Sequence, residues 1–315
     1  MNPVRNSPSQ DPHGRASADA ISNGVTFEWG TRTYLMGVIN VTPDSFSGDG
    51  ILPRAGLGIF TKAGPWYERV VEQGRRMESE GADIVDVGGE STRPGSTPVS
   101  PEEELARVIP VIERLAKEIK IPISIDTYKA EVARQAIAAG ARMINDVWGG
   151  RMDPEILKVA AEANVPIVLM HNRSKPKDAE QTEKLGGRYV GVEYKDLLGE
   201  IKKELQECVD AALAAGVKKE NIIIDPGIGF GKTVEQNLEL VRHLDELQTL
   251  DFPILVGPSR KSFVGYTLDL PPEERLEGTL AAVTLCIQKG ADVVRVHDVK
   301  EADRVRRFTD AVARG

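Results

Sequence analysis

Eight times along this chain a short apolar run, rich in β-branched residues, gives way to polar residues and then to a longer stretch of helical period. The runs fall at residues 34–39, 84–87, 123–125, 143–144, 166–170, 222–224, 254–256 and 293–296. The helical stretches fall at 66–80, 101–119, 129–139, 153–164, 192–215, 234–247, 272–288 and 300–312. Runs without polar alternation fit strands buried on both faces, as a parallel sheet requires. Their alternation with helices predicts βαβ units. Eight units within 315 residues predict an α/β fold of one domain, a closed (β/α)8 TIM barrel. A doubly wound open sheet is the alternative, but no GxGxxG comes after the first run. Helices that end in Gly-Ala at 81–82, 140–141 and 290–291 predict left-handed turns back into the sheet.

The flanking sequence and composition narrow the class. Residues 1–24 are polar, with Pro, Ser, Asn and Gly and no apolar core of a signal peptide, and predict a flexible tail. Residues 25–315 form the predicted barrel domain, with 25–29 and 33–38 flanking Gly30-Thr31 as an N-terminal β-hairpin. The formal net charge of −8 argues against a nucleic-acid partner. No apolar run approaches the ~20 residues of a membrane helix. Two cysteines, Cys208 and Cys286, both in helix-like segments, predict buried thiols in a reducing, cytoplasmic setting. Two long connections, 46–65 and 172–189, lack periodicity and predict lids or binding loops.

The chemistry lies in the polar residues that close each run. In a closed barrel all eight strand ends meet at one mouth, where polar groups persist only if they pair with each other or with a ligand. Asp126, Asn145, Asp225 and Lys261 supply acceptors and donors suited to an amino-heterocycle with a ring carbonyl. Arg295 and His297, two apart on the last strand, point the same way and, with Arg260 or Lys261, predict an anion clamp. Asn40 and Asp44 supply hard oxygens that could hold Mg²⁺ together with a pyrophosphate. Ser262 opens a helix-like segment, a setting that suits a carboxylate. Taken singly, Asp126 or Asp225 reads as a helix cap, and His171 reads equally well as a structural hydrogen-bonded histidine. GIGFGK lacks the P-loop spacing, and neither a zinc-ligand spacing nor a GxSxG elbow is present. The coincidence of polar groups after all eight runs carries the functional reading.

Six stretches carry a family resemblance: MGVINVTPDSFS (36–47), GADIVDVGGESTRPGS (81–96), SIDTYKAEVA (124–133), IIIDPGIGFGKT (222–233), SRKSFVG (259–265) and RVHDV (295–299). Together they resemble the dihydropteroate synthases over about residues 34–312. The resemblance implies condensation of 6-hydroxymethyl-7,8-dihydropterin pyrophosphate with 4-aminobenzoate, with Mg²⁺ as cofactor and a homodimer as the assembly. It implies Asn40 as a Mg²⁺ ligand and Asp126, Asn145, Asp225 and Lys261 around the pterin, with Met170 packed on it and Phe230 among the substrate-binding residues. Arg295 and His297 would hold the pyrophosphate, and Thr92, Arg93, Pro94 and Ser262 would frame the aminobenzoate. Asp44, Asp126, Lys261, Arg295 and His297 form the implied catalytic set. The first loop departs from the family pattern, reading SFSGDG, and ILPRAGLGIF looks inserted. Pro258 precedes SRK where the family often has Leu. Two neighbouring readings are a pterin-dependent methyltransferase on the same barrel, which would not need SRKS or RVHD, and a non-catalytic pterin-binding paralogue. A Schiff-base aldolase using Lys261 is a third, which borohydride trapping would reveal.

Overall fold

In the computed structural model, which describes residues 20–22, 25–42, 65–92, 96, 98–175, 178–190 and 192–314, the barrel strands sort their side chains by parity. The chain runs β1 (Ala20–Ser22), β2 (Val25–Phe27), β3 (Tyr34–Asn40), α1 (Pro65–Ser79), β4 (Ile84–Gly88), α2 (Pro101–Glu118), β5 (Ile123–Asp126), α3 (Ala130–Ala139), β6 (Met143–Asp146) and α4 (Glu155–Ala163). It continues with β7 (Ile167–Met170), β8 (Ala179–Thr182), β9 (Gly186–Tyr189), α5 (Leu197–Ala214), β10 (Ile222–Asp225), α6 (Val234–Arg242), β11 (Leu255–Val256), α7 (Ser262–Leu268), α8 (Leu276–Gln288), β12 (Val293–Val296) and α9 (Val299–Ala313). One parity, including Leu35, Ile39, Val85, Val87, Ile125, Ile144, Leu169, Ile224 and Val294, packs outward on the helices. The other, including Tyr34, Met36, Ile84, Met143, Val168, Ile223, Leu255 and Val293, forms a separate apolar plug inside the ring. A strand's period of two allows no other partition.

The eight barrel strands lie in the order β10-β7-β6-β5-β4-β3-β12-β11 with parallel pairing throughout. The ring is closed by a parallel bridge from Ile224 to Ile254 and a 2.9 Å bond from the Ile224 N–H to the Pro253 carbonyl. This is the predicted TIM barrel. Tracing the inward parity towards the C-terminal ends replaces apolar residues with Asn40, Asp86, Ser124, Asp126, Asn145, Asp225, Arg295 and His297. The site is therefore the upper layer of the barrel interior. Helix boundaries obey local chemistry. Ser100 caps α2 by accepting from the Glu103 N–H at 3.2 Å, ahead of Pro101 and three glutamates. Thr233 and Gln236 make a reciprocal capping box on α6. Gly140 ends α3 at φ +125°, as its Gly-Ala step predicts.

The N-terminal hairpin differs from the predicted one. It pairs Ala20–Ser22 with Val25–Phe27, so its first strand falls within the stretch read as tail, while 33–38 belongs to the barrel. The signal for it is Asn23-Gly24 between the paired Ser22 and Val25, a strong two-residue hairpin dipeptide. Residues 33–38 cannot serve as a hairpin arm, because both edges of β3 are taken by β4 and β12. Phe27 stacks on Trp29 with centroids 5.3 Å apart, and both meet Tyr34 edge-on, closing the lower end of the barrel. Residues 1–19 of the predicted tail, and the first long connection up to residue 64 with its inserted segment, lie outside the described residues. The second long connection contains the hairpin β8–β9, which the sequence does not lead one to expect. The helical stretch predicted at 192–215 begins only at Leu197, behind its cap Asp196, and that at 272–288 begins at Leu276. Cys208 and Cys286 are buried in α5 and α8, where burial pushes the thiols up to about 11 and about 12. Among the described residues no helix is long and apolar enough to cross a membrane.

Candidate active site

A cavity opens at the C-terminal mouth, and six of the eight strand ends line it. Asn40 ends β3 and Thr42 lies just past it, Glu90 to Thr92 lie just past β4, and Asp126 ends β5. Gly229 and Phe230 lie past β10, Gly257 and Ser259 to Ser262 past β11, and Arg295 comes from β12 with His297 just past it. The hairpin β8–β9 contributes Gln181 and Gly186, and Arg275 enters from the turn before α8. Eight of the residues singled out from sequence thus share one wall: Asn40, Thr92, Asp126, Phe230, Lys261, Ser262, Arg295 and His297. Asn145, Met170 and Asp225 do not line the open cavity; they are buried on the inward parity of β6, β7 and β10. Asp44, Arg93 and Pro94 lie outside the described residues.

Electrostatics organise the floor. Arg295 donates from Nε to Asp86 Oδ2 and from Nη2 to Asp126 Oδ2, each at 2.7 Å. Asp86 is fully buried and also accepts from Asn145 Nδ2 at 2.9 Å. Arg295 therefore holds two carboxylates as well as facing the cavity. Burial drives the Asp126 carboxyl above the ordinary range, and the adjoining guanidinium opposes it. Burial likewise pushes Asp225 up to about 6, against the 2.7 Å bond from the Gly227 N–H and the charges of Lys261 and Lys232. Lys261 Nζ sits 3.9 Å from the centroid of Phe230, a cation–π pair beside these acids. Arg260 is held to Asp298 by a two-pronged bond at 3.0 and 2.6 Å, and Lys261 beside it also lines the cavity. Ser259 Oγ lies 3.0 Å from His297 Nδ1 and orients that ring.

Sequence reading missed four supporting groups. Lys129 bridges Glu90 and Glu104 at 2.5 Å each and bonds the Val99 carbonyl at 2.9 Å, anchoring the segment after β4. Arg275 donates to the carbonyls of Leu270, Arg260 and Leu185, tying the hairpin to the segment that carries Lys261. A Cβ at Gly265 would sit 2.2 Å from that guanidinium, so the last glycine of SRKSFVG is required for the approach. Lys232 is buried, with Nζ 3.0 Å from the Gly227 and Phe230 carbonyls and 3.1 Å from His171 Nδ1. His171 in turn sits 3.1 Å from Glu204 across its other ring nitrogen, off the line of a good hydrogen bond. Asp86, the fourth, shares its strand with no other polar side chain and its motif reads as apolar sheet; only its inward parity could have marked it.

Lys232 has a testable role. Its three acceptors fix the turn that presents Phe230 and Asp225. Burial pushes its amine down to about 7, so the charge itself is held at a cost. Lys232→Met should free that turn and lower turnover of the reaction the resemblance implies by about 10- to 100-fold, the scale of an ångström of misplacement. Steady-state kinetics beside a thermal melt check it: unchanged kcat/KM in a folded variant would remove Lys232 from any role in the site.

Comparison with known proteins agrees with this geometry. Residues 36–297 match the family model described as pterin binding enzyme. The chain is 50% identical over 289 residues to the dihydropteroate synthase of Clostridium beijerinckii, covering 91% of this chain and 97% of the relative. It is 48% identical over 281 residues to that of Bacillus subtilis, covering 89% of each. Among solved structures, Clostridium difficile dihydropteroate synthase in the presence of pteroic acid superposes with a TM-score of 0.80 at 45% identity, covering 92% of this chain and 100% of that one. The Xanthomonas albilineans enzyme with 4-aminobenzoic acid gives a TM-score of 0.80 at 42% identity, covering 94% and 98%. The chain belongs to the pterin-binding enzymes and, within them, to the dihydropteroate synthase family.

Proposed function

We propose that the chain joins (7,8-dihydropterin-6-yl)methyl diphosphate to 4-aminobenzoate, giving 7,8-dihydropteroate and diphosphate, as a cytoplasmic homodimer that uses Mg²⁺. The observation that carries this reading is a single mouth lined by Asn40, Asp126, Phe230, Lys261, Arg295 and His297, with Asn145, Met170 and Asp225 buried on the same inward parity of the barrel. Asp126, Asn145 and Asp225 accept from and donate to the pterin edge, Lys261 donates to its carbonyl and ring nitrogen, and Met170 and Phe230 pack on its faces. Arg295 and His297 meet the diphosphate, whose charge grows as the C–O bond breaks and the oxygen takes the electron pair. Thr92, Arg93, Pro94 and Ser262 frame the aminobenzoate, whose amine attacks the exocyclic carbon and releases a proton. That amine is a weak nucleophile, so position matters more than a strong base.

Mg²⁺ suits this donor set. Among the described residues no three acidic, histidine or cysteine side chains cluster as a metal cage. Mg²⁺ prefers one or two protein oxygens with substrate phosphate oxygens and water, which Asn40 on the cavity wall, with Asp44 beyond it in sequence, can supply. When bound it would neutralise charge on the departing diphosphate.

Two measurements test the reading. Purified protein should release diphosphate only when both substrates and Mg²⁺ are present; release without aminobenzoate, or none with both, would refute it. The pH dependence has a definite sign. Asp225 must be ionised to accept N–H bonds, and its carboxyl takes up a proton near pH 6 because burial raises it. Pterin affinity should therefore fall as pH drops through about 6, and Asp225→Asn should reduce that fall to the part carried by Asp126, whose carboxyl burial also raises. Calorimetry at several pH values decides; an acid limb as steep in the variant as in the wild-type protein would contradict the assignment.

A further inference from the structure

We propose that Asp86 is a positioning residue of the pterin cradle, a buried charge beneath the cavity that fixes the Asn145 carboxamide and shares the Arg295 guanidinium with Asp126. The inference rests on the pterin reading above and deepens it. Asp86 is fully buried on the inward parity of β4 and lines no part of the cavity, so it acts through other groups. Its Oδ2 takes both donors, Asn145 Nδ2 at 2.9 Å and Arg295 Nε at 2.7 Å. Its Oδ1 is buried and has no partner among the described residues. A carboxylate taken from water with so few bonds is costly, and such a group persists where its charge is used.

The use is geometric. Were the Asn145 amide turned over, its oxygen would face the carboxylate, acceptor against acceptor. Asp86 therefore sets which end of that amide turns away from it toward the pterin. The same oxygen holds one arm of Arg295, whose other arm reaches Asp126 Oδ2. Arg295 on the cavity wall and Asn145 buried on the same parity take their orientation from one atom, and Asp126 is tied in through the guanidinium. Asp86 also tunes Asp126 through charge. The groups facing Asp126 are Arg295 from β12, Asp86 from β4, Glu104 from α2 and Lys261 from the segment before α7. Removing the Asp86 charge leaves Arg295 to Asp126 alone and takes away a repelling neighbour, so Asp126 would ionise at lower pH.

The test is Asp86→Asn, which preserves shape and removes the charge. The expected result is a folded protein with pterin affinity at least about 10-fold weaker, a KM for aminobenzoate within about twofold, and an acid limb of pterin binding moved to lower pH. Unchanged affinity and profile would overturn the inference. Weaker binding with an unmoved acid limb would assign Asp86 to packing and overturn it too. Should the variant fail to fold, hydrogen exchange of the Asn145 side-chain amide in the wild-type protein decides. Its signal is identified by its loss in Asn145→Asp. Protection supports the inference, and exchange at the rate of free asparagine overturns it. Failure of the pterin reading is distinguishable, because there the wild-type protein itself would not bind the pterin diphosphate.

Discussion

Arg295→Met should unfold at markedly lower denaturant than the wild-type protein and lose measurable turnover. The side chain is about one-fifth exposed and is the counter-charge of two carboxylates, Asp86 and Asp126, on the same floor. Removing one partner of a buried pair leaves uncompensated charge and typically costs ~3–5 kcal/mol. Methionine fills much of the volume but supplies no donor. The loss should shrink as pH falls, since protonating Asp126 relieves it: a carboxyl whose folded-state ionisation is raised above its unfolded value adds stability at low pH and loses it as pH rises. Adding Asp86→Asn to Arg295→Met should recover part of the lost stability. Urea melts of the three proteins at neutral and acid pH measure this, and equal stability of Arg295→Met and wild type would show that the ion pairs do not support the fold.

Asp126→Ala has the second largest effect and a different signature. Here one acid on the cavity wall is lost, and Arg295 keeps Asp86 as its partner. The fold should survive, while the pterin loses a charge-assisted bond worth ~1.5–3 kcal/mol, or about 10- to 100-fold in affinity. Because Arg295 also loses the arm that holds it in place, turnover should fall further than affinity. Steady-state kinetics beside calorimetry separate the two quantities. Unchanged pterin affinity would remove Asp126 from the cradle.

Particular residues show why the barrel was legible in the sequence and some of its site was not. Runs such as Ile222–Ile224 and Ile167–Leu169 are apolar on both parities because helices cover one face and the interior plug the other, so they read as parallel strands without ambiguity. The residues closing such runs, Asp126, Asp225 and His297, stood out because a polar group at the end of a buried strand needs a reason, and Arg295 stood out because it lies two residues before His297 on the same face. Asp86 did not stand out, since it sits inside its run and only the closed ring shows that its parity faces the site. Lys232 read as part of a glycine-rich turn because its role rests on two carbonyls within that turn and on a histidine 61 residues away, a contact that no local pattern encodes. Arg275 is the same case: its three carbonyl partners come from three separate segments. The hairpin β8–β9 escaped because its residues alternate poorly, with β8 largely exposed and β9 half-buried, so no apolar face marked them as strands. Its place over the cavity comes from tertiary bonds, including Thr182 to Tyr266 at 3.1 Å and Arg275 to Leu185 at 2.9 Å.

Catalysis by this chain requires that the polar ends of its strands act on the same ring at one mouth. A crystal structure with the dihydropterin diphosphate bound tests that requirement most directly. The ring is expected within hydrogen-bond distance of Asp126, Asn145, Asp225 and Lys261, with its diphosphate against Arg295 and His297. Ring density outside the barrel mouth, or contact with only one of those acids, would contradict it.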